Sequence, residues 1–280
     1  MEIDLTGKSQ LTALIDADSI IYIVAWKNRE HDDISKVLEE VDQFIVDILH
    51  QTGARQYAGF LTPKHYFRYD VATYKPYKGN RPDNPEWVKK WKPYIIQHMI
   101  DKWGFVLCRD MEADDAVAIL QQSMVNTTIC SPDKDLKQIP GNHFDYKTGV
   151  KVFVTDAEAM RSFFYQMMVG DTVDNIAGVP KMGPKGADNL LDTVPSNLWK
   201  LSVQNQFEKY FGREEGARMF EETRLLVRML GPWNLSAYHL SVLQLKSLRT
   251  FDLDNSQPSS YLVPNERKPD ELPFENPFAE

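Results

Sequence analysis

Nine carboxylates fall in four short groups: Asp16 and Asp18 in LIDADS, Glu112, Asp114 and Asp115 in MEADDAVAIL, Asp133 and Asp135 in SPDKDL, and Asp171 and Asp174 in VGDTVDNI. Carboxylates gathered at one place repel, and two charges about 4 Å apart cost about 4 kcal/mol at an effective dielectric of 20. Such a gathering needs cations. Hard oxygen ligands without His or Cys companions select Mg²⁺ or Mn²⁺ over Zn²⁺. Taken singly, each group also fits a plainer role, because acids suit helix N-termini and Asp serves turns and caps. Four groups in one chain favour a metal site, but spacing alone does not bring them together.

The elements that must position these acids alternate between short β-rich runs and helical patterns, which indicates an α/β domain over residues 1–160. Strands are expected at 11–15, 56–61, 105–108, 127–131 and 151–154, and helices at 19–26, 35–51, 86–103 and 113–124. In an open α/β sheet, ligand sites lie outside the carboxyl ends of the strands. The first three acidic groups each follow an expected strand, so one shared rim is predicted for them. Residues 161–251 read as a mostly helical region.

Two further features suit nucleic acid. Residues 60–102 hold nine basic residues against four acids, interleaved with Tyr66, Phe67, Tyr69, Tyr74, Tyr77, Trp87, Trp91 and Tyr94. Cations meet phosphates and rings stack on bases in single-stranded binding, although the same segment reads equally as a solvated face with its rings in the core. The stretch DNIAGVPKMGPKGADNLL has the pattern of a helix–hairpin–helix over 174–191. Its Gly178, Gly183 and Gly186 permit close approach and positive φ, its second helix offers N–H groups to a phosphate, and Lys181 and Lys185 add sequence-independent attraction.

Composition bounds the alternatives. With 280 residues the chain can bury a core without staples, and its two cysteines, Cys108 and Cys130, fit a reducing compartment such as a cytoplasm. No apolar run approaches the roughly 20 residues of a membrane span, and the N-terminal MEIDLTGKSQ does not read as a signal peptide. A net charge of −8 argues against a general nucleic-acid binder. Residues 252–280 carry seven acids, two bases and five of the sixteen prolines, and read as a tail that is either a disordered terminus or, with PFENPFAE as its core, a docking peptide for a replication protein.

Taken in order, LIDADS (14–19), YKPYKGNRP (74–82), MEADDAVAIL (111–120), SPDKDL (131–136) and VGDTVDNIAGVPKMGPKGA (169–187) resemble the 5′-nuclease family, which includes phage flap endonucleases, 5′–3′ exonucleases and the 5′-nuclease domain of bacterial DNA polymerases. The resemblance covers about residues 11–195. It implies a PIN-like α/β nuclease core with a mainly parallel sheet, a helical arch at about 84–103, and a helical DNA-binding region with an H3TH-type motif. It implies two metal ions, one held by Asp16, Glu112 and Asp114, the other by Asp114, Asp133, Asp135 and Asp171, with Asp115 and Asp174 as ligands or supporting acids. Two ions would activate a water and stabilise the leaving 3′ oxygen. Lys78 and Arg81 match the family's basic pair beside the scissile phosphate, Tyr77 would stack on a terminal base, and the hairpin would bind K⁺ through carbonyls. The implied substrate is DNA with 5′ ends, flaps or junctions, or an RNA–DNA hybrid, cut by a monomeric, divalent-metal-dependent enzyme in replication. Relatives often carry an Asp where this chain has Leu61, and Asp18 is an extra acid that could compensate. That departure keeps a catalytically weak, structure-specific DNA-binding protein in play, alongside a PIN-type ribonuclease.

Overall fold

The computed structural model describes residues 10–259; the PFENPFAE segment and the rest of 260–280 lie outside the described residues. The strands are β1 (Thr12–Asp16), β2 (Gln56–Leu61), β3 (Val106–Leu107), β4 (Thr127–Cys130), β5 (Gly141–Asp145), β6 (Val150–Val154), β7 (Gly170–Asp171), β8 (Ile176–Ala177), β9 (Arg249–Asp252) and β10 (Gln257–Ser259). The α-helices are α1 (Asp18–Lys27), α2 (Ile34–Thr52), α3 (Arg68–Val71), α4 (Glu86–Trp103), α5 (Ala113–Ser123), α6 (Asp156–Val169), α7 (Pro184–Thr193), α8 (Trp199–Phe211), α9 (Arg213–Val227) and α10 (Ala237–Ser247).

One mixed, mostly parallel sheet runs in the order β10-β9-β2-β1-β4-β5-β6, with β3 beside the end of β2. β1 is central and parallel to both β2 and β4, and all five of its residues are buried. A strand covered on both faces must be apolar on both, which explains the continuous run TALI. Its alternation sorts the core: Ala13 and Ile15 join Tyr57, Leu61 and the buried faces of α1, α2 and α4, whereas Leu14 joins Ala58, Phe60, Ile129 and α5. Order 2-1-4 around β1 is a topological switch point, where the carboxyl ends of neighbouring strands open a crevice.

Three expectations change. The segment expected at about 84–103 as an arch packs down as α4, with Asn84 and Lys92 at the cavity. Val88, Trp91, Ile95, Met99 and Trp103 recur at helical spacing, and that stripe is buried against α1 and α2. The end of the expected helical region and the first residues of the expected tail at 252 are strands: β9 pairs antiparallel with β2, and β10 with β9. Finally, β5, absent from the sequence reading, extends the sheet and pairs antiparallel with β6; its GNHFD sequence has no run of β-branched residues to betray it. Both cysteines are free and buried. No helix among the described residues is long and apolar enough to cross a membrane.

Candidate metal centre

The crevice at the switch point is a cavity of about 500 Å³. Asp16, Asp18, Glu112, Asp114, Asp133, Asp135 and Asp174 line it, together with Lys78, Arg81 and the buried Arg68. Four distant segments therefore meet there. β1 ends at Asp16, whose Oδ2 accepts from the Ser131 hydroxyl (2.8 Å) and whose Oδ1 accepts from the Asp18 N–H (3.3 Å). Asp18 opens α1 and accepts from the Thr62 N–H at 3.1 Å, just beyond the end of β2. After β4, Asp133 caps a 3₁₀ turn over Lys134–Gln138 by accepting from the Asp135 N–H at 2.8 Å.

The third group shows how sequence becomes geometry. Glu112 is the N-cap of α5, its backbone N–H donating to the Asp115 carboxylate at 3.2 Å, and acids in this first turn also complement the helix dipole. Successive residues on a helix diverge, so the neighbours part. Asp114 lines the cavity and accepts from the Asp115 N–H at 2.7 Å. Asp115 points into the protein, fully buried, and accepts from Arg68 through Nη1 (2.5 Å) and Nη2 (2.8 Å) and from the Leu230 N–H (3.0 Å). Oxygens of Glu112, Asp114 and Asp115 lie within 4.8 Å of one another, but those of Asp115 are taken by Arg68. Of the two places expected for it, ligand or supporting acid, this pairing fits the second.

The fourth group divides likewise. Asp174 lines the cavity. Asp171 does not: its Oδ1 accepts from the Val173 and Asp174 N–H groups at 2.7 and 3.1 Å, and its Oδ2 faces Lys134 at 3.6 Å. Asp171 shapes the turn that carries Asp174.

A basic loop completes the wall. Lys78 Nζ donates to Glu112 (2.5 Å) and to the Tyr66 hydroxyl (2.9 Å), and lies 3.9 Å from Asp174. Arg81 pairs with Asp174 and is more exposed. Lys78 has φ +55, a left-handed conformation that costs a non-glycine residue about 1–2 kcal/mol. Bonds across to the Asp174 turn hold it: the Lys78 N–H donates to the Asp174 carbonyl (2.9 Å), Asn80 to the Thr172 carbonyl (2.6 Å), and Asn175 to the Pro76 carbonyl (2.9 Å). Tyr77 is buried, with its hydroxyl on Glu112 and Asp174, both at 2.9 Å, and its ring against Tyr66 and Tyr69. This placement does not fit the expected stacking of Tyr77 on a terminal base: the residue is buried, and its hydroxyl lies between two carboxylates.

The electrostatics fit a cation. Burial, then the charges of Asp18 and Asp133, push Asp16 up to about 8. Burial, then Asp133 and Asp171, push Asp135 up to about 7. Burial also raises Asp114 and Asp18. Glu112 goes the other way: burial opposes its charge, but Arg68 and Lys78 hold it below the usual range. An all-oxygen donor set of mutually repelling acids suits a hard divalent ion, whose charge reverses these shifts. Leu61 is wholly buried and belongs to the apolar cluster of Ile15 and Tyr57.

The glycine-rich stretch follows a different design from the one expected. Residues 170–177 form the β7–β8 hairpin, and the helix before it is α6, so 174–178 is not helical. Gly178, Gly183 and Gly186 all have ordinary negative φ. Gly178 is needed for packing: a Cβ there would sit 2.3 Å from the Met168 carbonyl and 2.5 Å from the Gly170 nitrogen. Gly183 is the N-cap of α7 and faces open space. Lys181, Gly183, Lys185 and Gly186 are all exposed around that helix start, which suits an anion.

Sequence reasoning missed Arg68, Thr62 and Ser131 as site-builders. Arg68 lies in YFRYDV, and its partners Glu112 and Asp115 are 44 and 47 residues away; an arginine flanked by apolar and aromatic residues was the available signal.

A family model described as 5′-3′ exonuclease, N-terminal resolvase-like domain, matches residues 12–168. The 5′-3′ exonuclease of Aquifex aeolicus (strain VF5) is 31% identical over 157 residues, covering 50% of this chain and 53% of that protein. Flap endonuclease Xni of Shewanella loihica is 29% identical over 172 residues, covering 56% and 64%. The chain thus spans between half and two thirds of the length of these curated relatives. Among solved structures, T5 D15 protein co-crystallised with metal ions has a TM-score of 0.61 at 17% identity, covering 85% of this chain and 93% of that one. A complex of bacteriophage T5 D15 flap endonuclease with DNA and metal ions has 0.60 at 17% identity, covering 85% and 97%. At such identities the likeness shows the shared fold.

Proposed function

The chain belongs to the 5′-3′ exonuclease family through its N-terminal resolvase-like domain, and on that premise we propose that it is a divalent-metal-dependent 5′-nuclease on DNA, acting as a 5′–3′ exonuclease and a structure-specific flap endonuclease. One observation carries this reading: acids from four separate segments line one cavity beside Lys78 and Arg81.

Asp16, Asp18, Glu112, Asp114, Asp133, Asp135 and Asp174 would hold Mg²⁺ or Mn²⁺ ions. When bound, the ions supply Lewis-acid activation of water and stabilise charge on the leaving oxygen. The chain's own groups do the rest. Lys78 and Arg81 bring positive charge to the scissile phosphate, where fixed cations in a partly dry cavity act most strongly. Arg68 and Tyr77 hold Glu112 in place. The exposed start of α7, with Lys181 and Lys185, would grip a duplex backbone away from the cut. In replication such an enzyme would remove primers or displaced strands.

The test is cleavage of a 5′-labelled flap duplex and a blunt duplex, with Mg²⁺ and with EDTA. Metal-dependent products at the junction or the 5′ end are expected, and Asp133→Asn should abolish them while DNA binding persists. Tight binding without products under either metal would instead mean a binding protein on a nuclease fold. Faster cleavage of matched RNA would mean a ribonuclease.

A further inference from the structure

We propose that the outer face of α1 is a track for a single-stranded 5′ extension running from the cavity mouth across Tyr22 and then Trp26. The proposal rests on the nuclease reading and adds where the unpaired strand lies. Tyr22 lines the cavity and is 40% exposed, with its hydroxyl near Asn84 Oδ1 at 3.4 Å. Trp26 is 55% exposed and sits one helical turn further on. Both belong to a helix whose opposite side, Ile20, Ile21, Val24 and Ala25, is core, so neither ring is needed to fill the interior.

Each ring carries a cation. Lys92 Nζ stands 5.8 Å from the Tyr22 ring centroid and itself lines the cavity. The Arg29 guanidinium stands 4.3 Å from the Trp26 centroid, anchored by a 3.0 Å bond to the Trp26 carbonyl and a 3.3 Å ion pair with Glu30. Ring plus cation, twice in a row, is what an unpaired strand recognises: bases stack and phosphates pair. The spacing also suits it. Residues four apart on a helix rise about 6 Å, between one and two times the ~3.4 Å per-strand rise of stacked DNA, so successive bases of a stretched strand can reach both rings. The apolar stripe of α4 packs against α1 and α2, and Tyr22 and Trp26 remain exposed beside it.

The test uses the full chain and duplexes of one sequence that differ only in a 5′ extension of about ten thymidines, a length that spans several stacking sites. With Mg²⁺, Trp26→Ala should raise KM for the extended duplex roughly tenfold, the scale of one lost base stack, and leave the blunt duplex unchanged. Trp26→Phe should restore most of the loss. Arg29→Ala should lower the salt slope for the extended duplex by about one phosphate contact. An unchanged ratio of the two KM values in Trp26→Ala overturns the track and leaves the nuclease reading standing. Wild-type protein that cuts neither duplex overturns both.

Discussion

Arg68 and Asp115 meet in a two-pronged ion pair inside the protein, Nη1 to Oδ2 at 2.5 Å and Nη2 to Oδ1 at 2.8 Å, with both side chains almost wholly buried. Arg68 also reaches Glu112 and the carbonyls of Leu226 and Arg228. One side chain thus joins the head of α5 to the end of α9. Removing it would leave two buried carboxylates short of their cation. Arg68→Ala should destabilise the fold by about 3–5 kcal/mol, the cost of orphaning a buried pair. Urea unfolding would measure this, and a loss under about 1 kcal/mol, the size of a surface pair, would contradict the account.

Metal should stabilise the native state. An ion at about 100 times its Kd adds about 2.7 kcal/mol if the unfolded chain does not bind it. Thermal melts with rising Mg²⁺ should climb for wild type and stay flat for Asp114→Asn. Without metal, the same variant should melt higher than wild type, because one repelling charge has gone. A melt that ignores Mg²⁺ altogether would sink the metal centre.

The raised acids set a pH dependence for the metal-free protein. Asp16 moves from 3.8 to about 8 and Asp135 from 3.8 to about 7. Between these limits the folded state holds more protons than the unfolded one. Their contribution is therefore fully present below about pH 4 and lost as pH rises through the folded values, by at most about 1.4 kcal/mol per pH unit for each group. In EDTA the urea midpoint should fall from about pH 5 to 8, and Asp16→Asn should flatten the fall. Saturating Mg²⁺ should flatten it too, since ligands bind ionised.

Asp18 should act through metal affinity. It reaches the cavity from the start of α1, held by the Thr62 N–H. Asp18→Asn should shift the Mg²⁺ concentration for half-maximal cleavage upward by roughly 10–100-fold, the range for groups that support a metal site. Superimposable Mg²⁺ curves would remove Asp18 from the site.

Gly178 and Gly183 should respond oppositely to alanine. Gly178→Ala drives a methyl group into the 168–170 backbone, whereas Gly183→Ala meets nothing within 4 Å. The first should lower the melting temperature and weaken duplex binding. The second should fold as wild type does, at most losing some affinity where N–H groups face an anion.

Much of the architecture was legible because β1, α2 and α5 carry strong periodic or capped patterns in their own sequences. Asp16, Glu112, Asp114 and Asp133 were legible because acids after strands point to a sheet's carboxyl edge. What escaped depended on distant partners. Asp114 and Asp115 are adjacent in sequence, and it is Arg68, 47 residues from Asp115, and the Leu230 N–H that hold Asp115 away from the cavity. Tyr77 reads equally as a base-stacking ring or a core ring until Glu112 and Asp174 claim its hydroxyl. The helix α4 has a clear core stripe, but the stripe gives no sign of which surface it covers. β9 and β10 fall in a stretch whose acids and prolines disguise a sheet edge.

The loop that carries Lys78 is stitched to the turn at 172–175, and that stitching bears on modularity. The recognised domain stops at residue 168, three residues short of Asp171 and six short of Asp174. A fragment ended there would lose β9 and β10 from the sheet edge, the partner of Arg81, one wall of the cavity and the contacts that hold Lys78 at positive φ. Sequence bookkeeping places a border between two parts of the chain, but the chemistry straddles it. The two parts work only together, and recombination at that border would part Arg68 from the Leu226 and Arg228 carbonyls as well as the cavity from its wall.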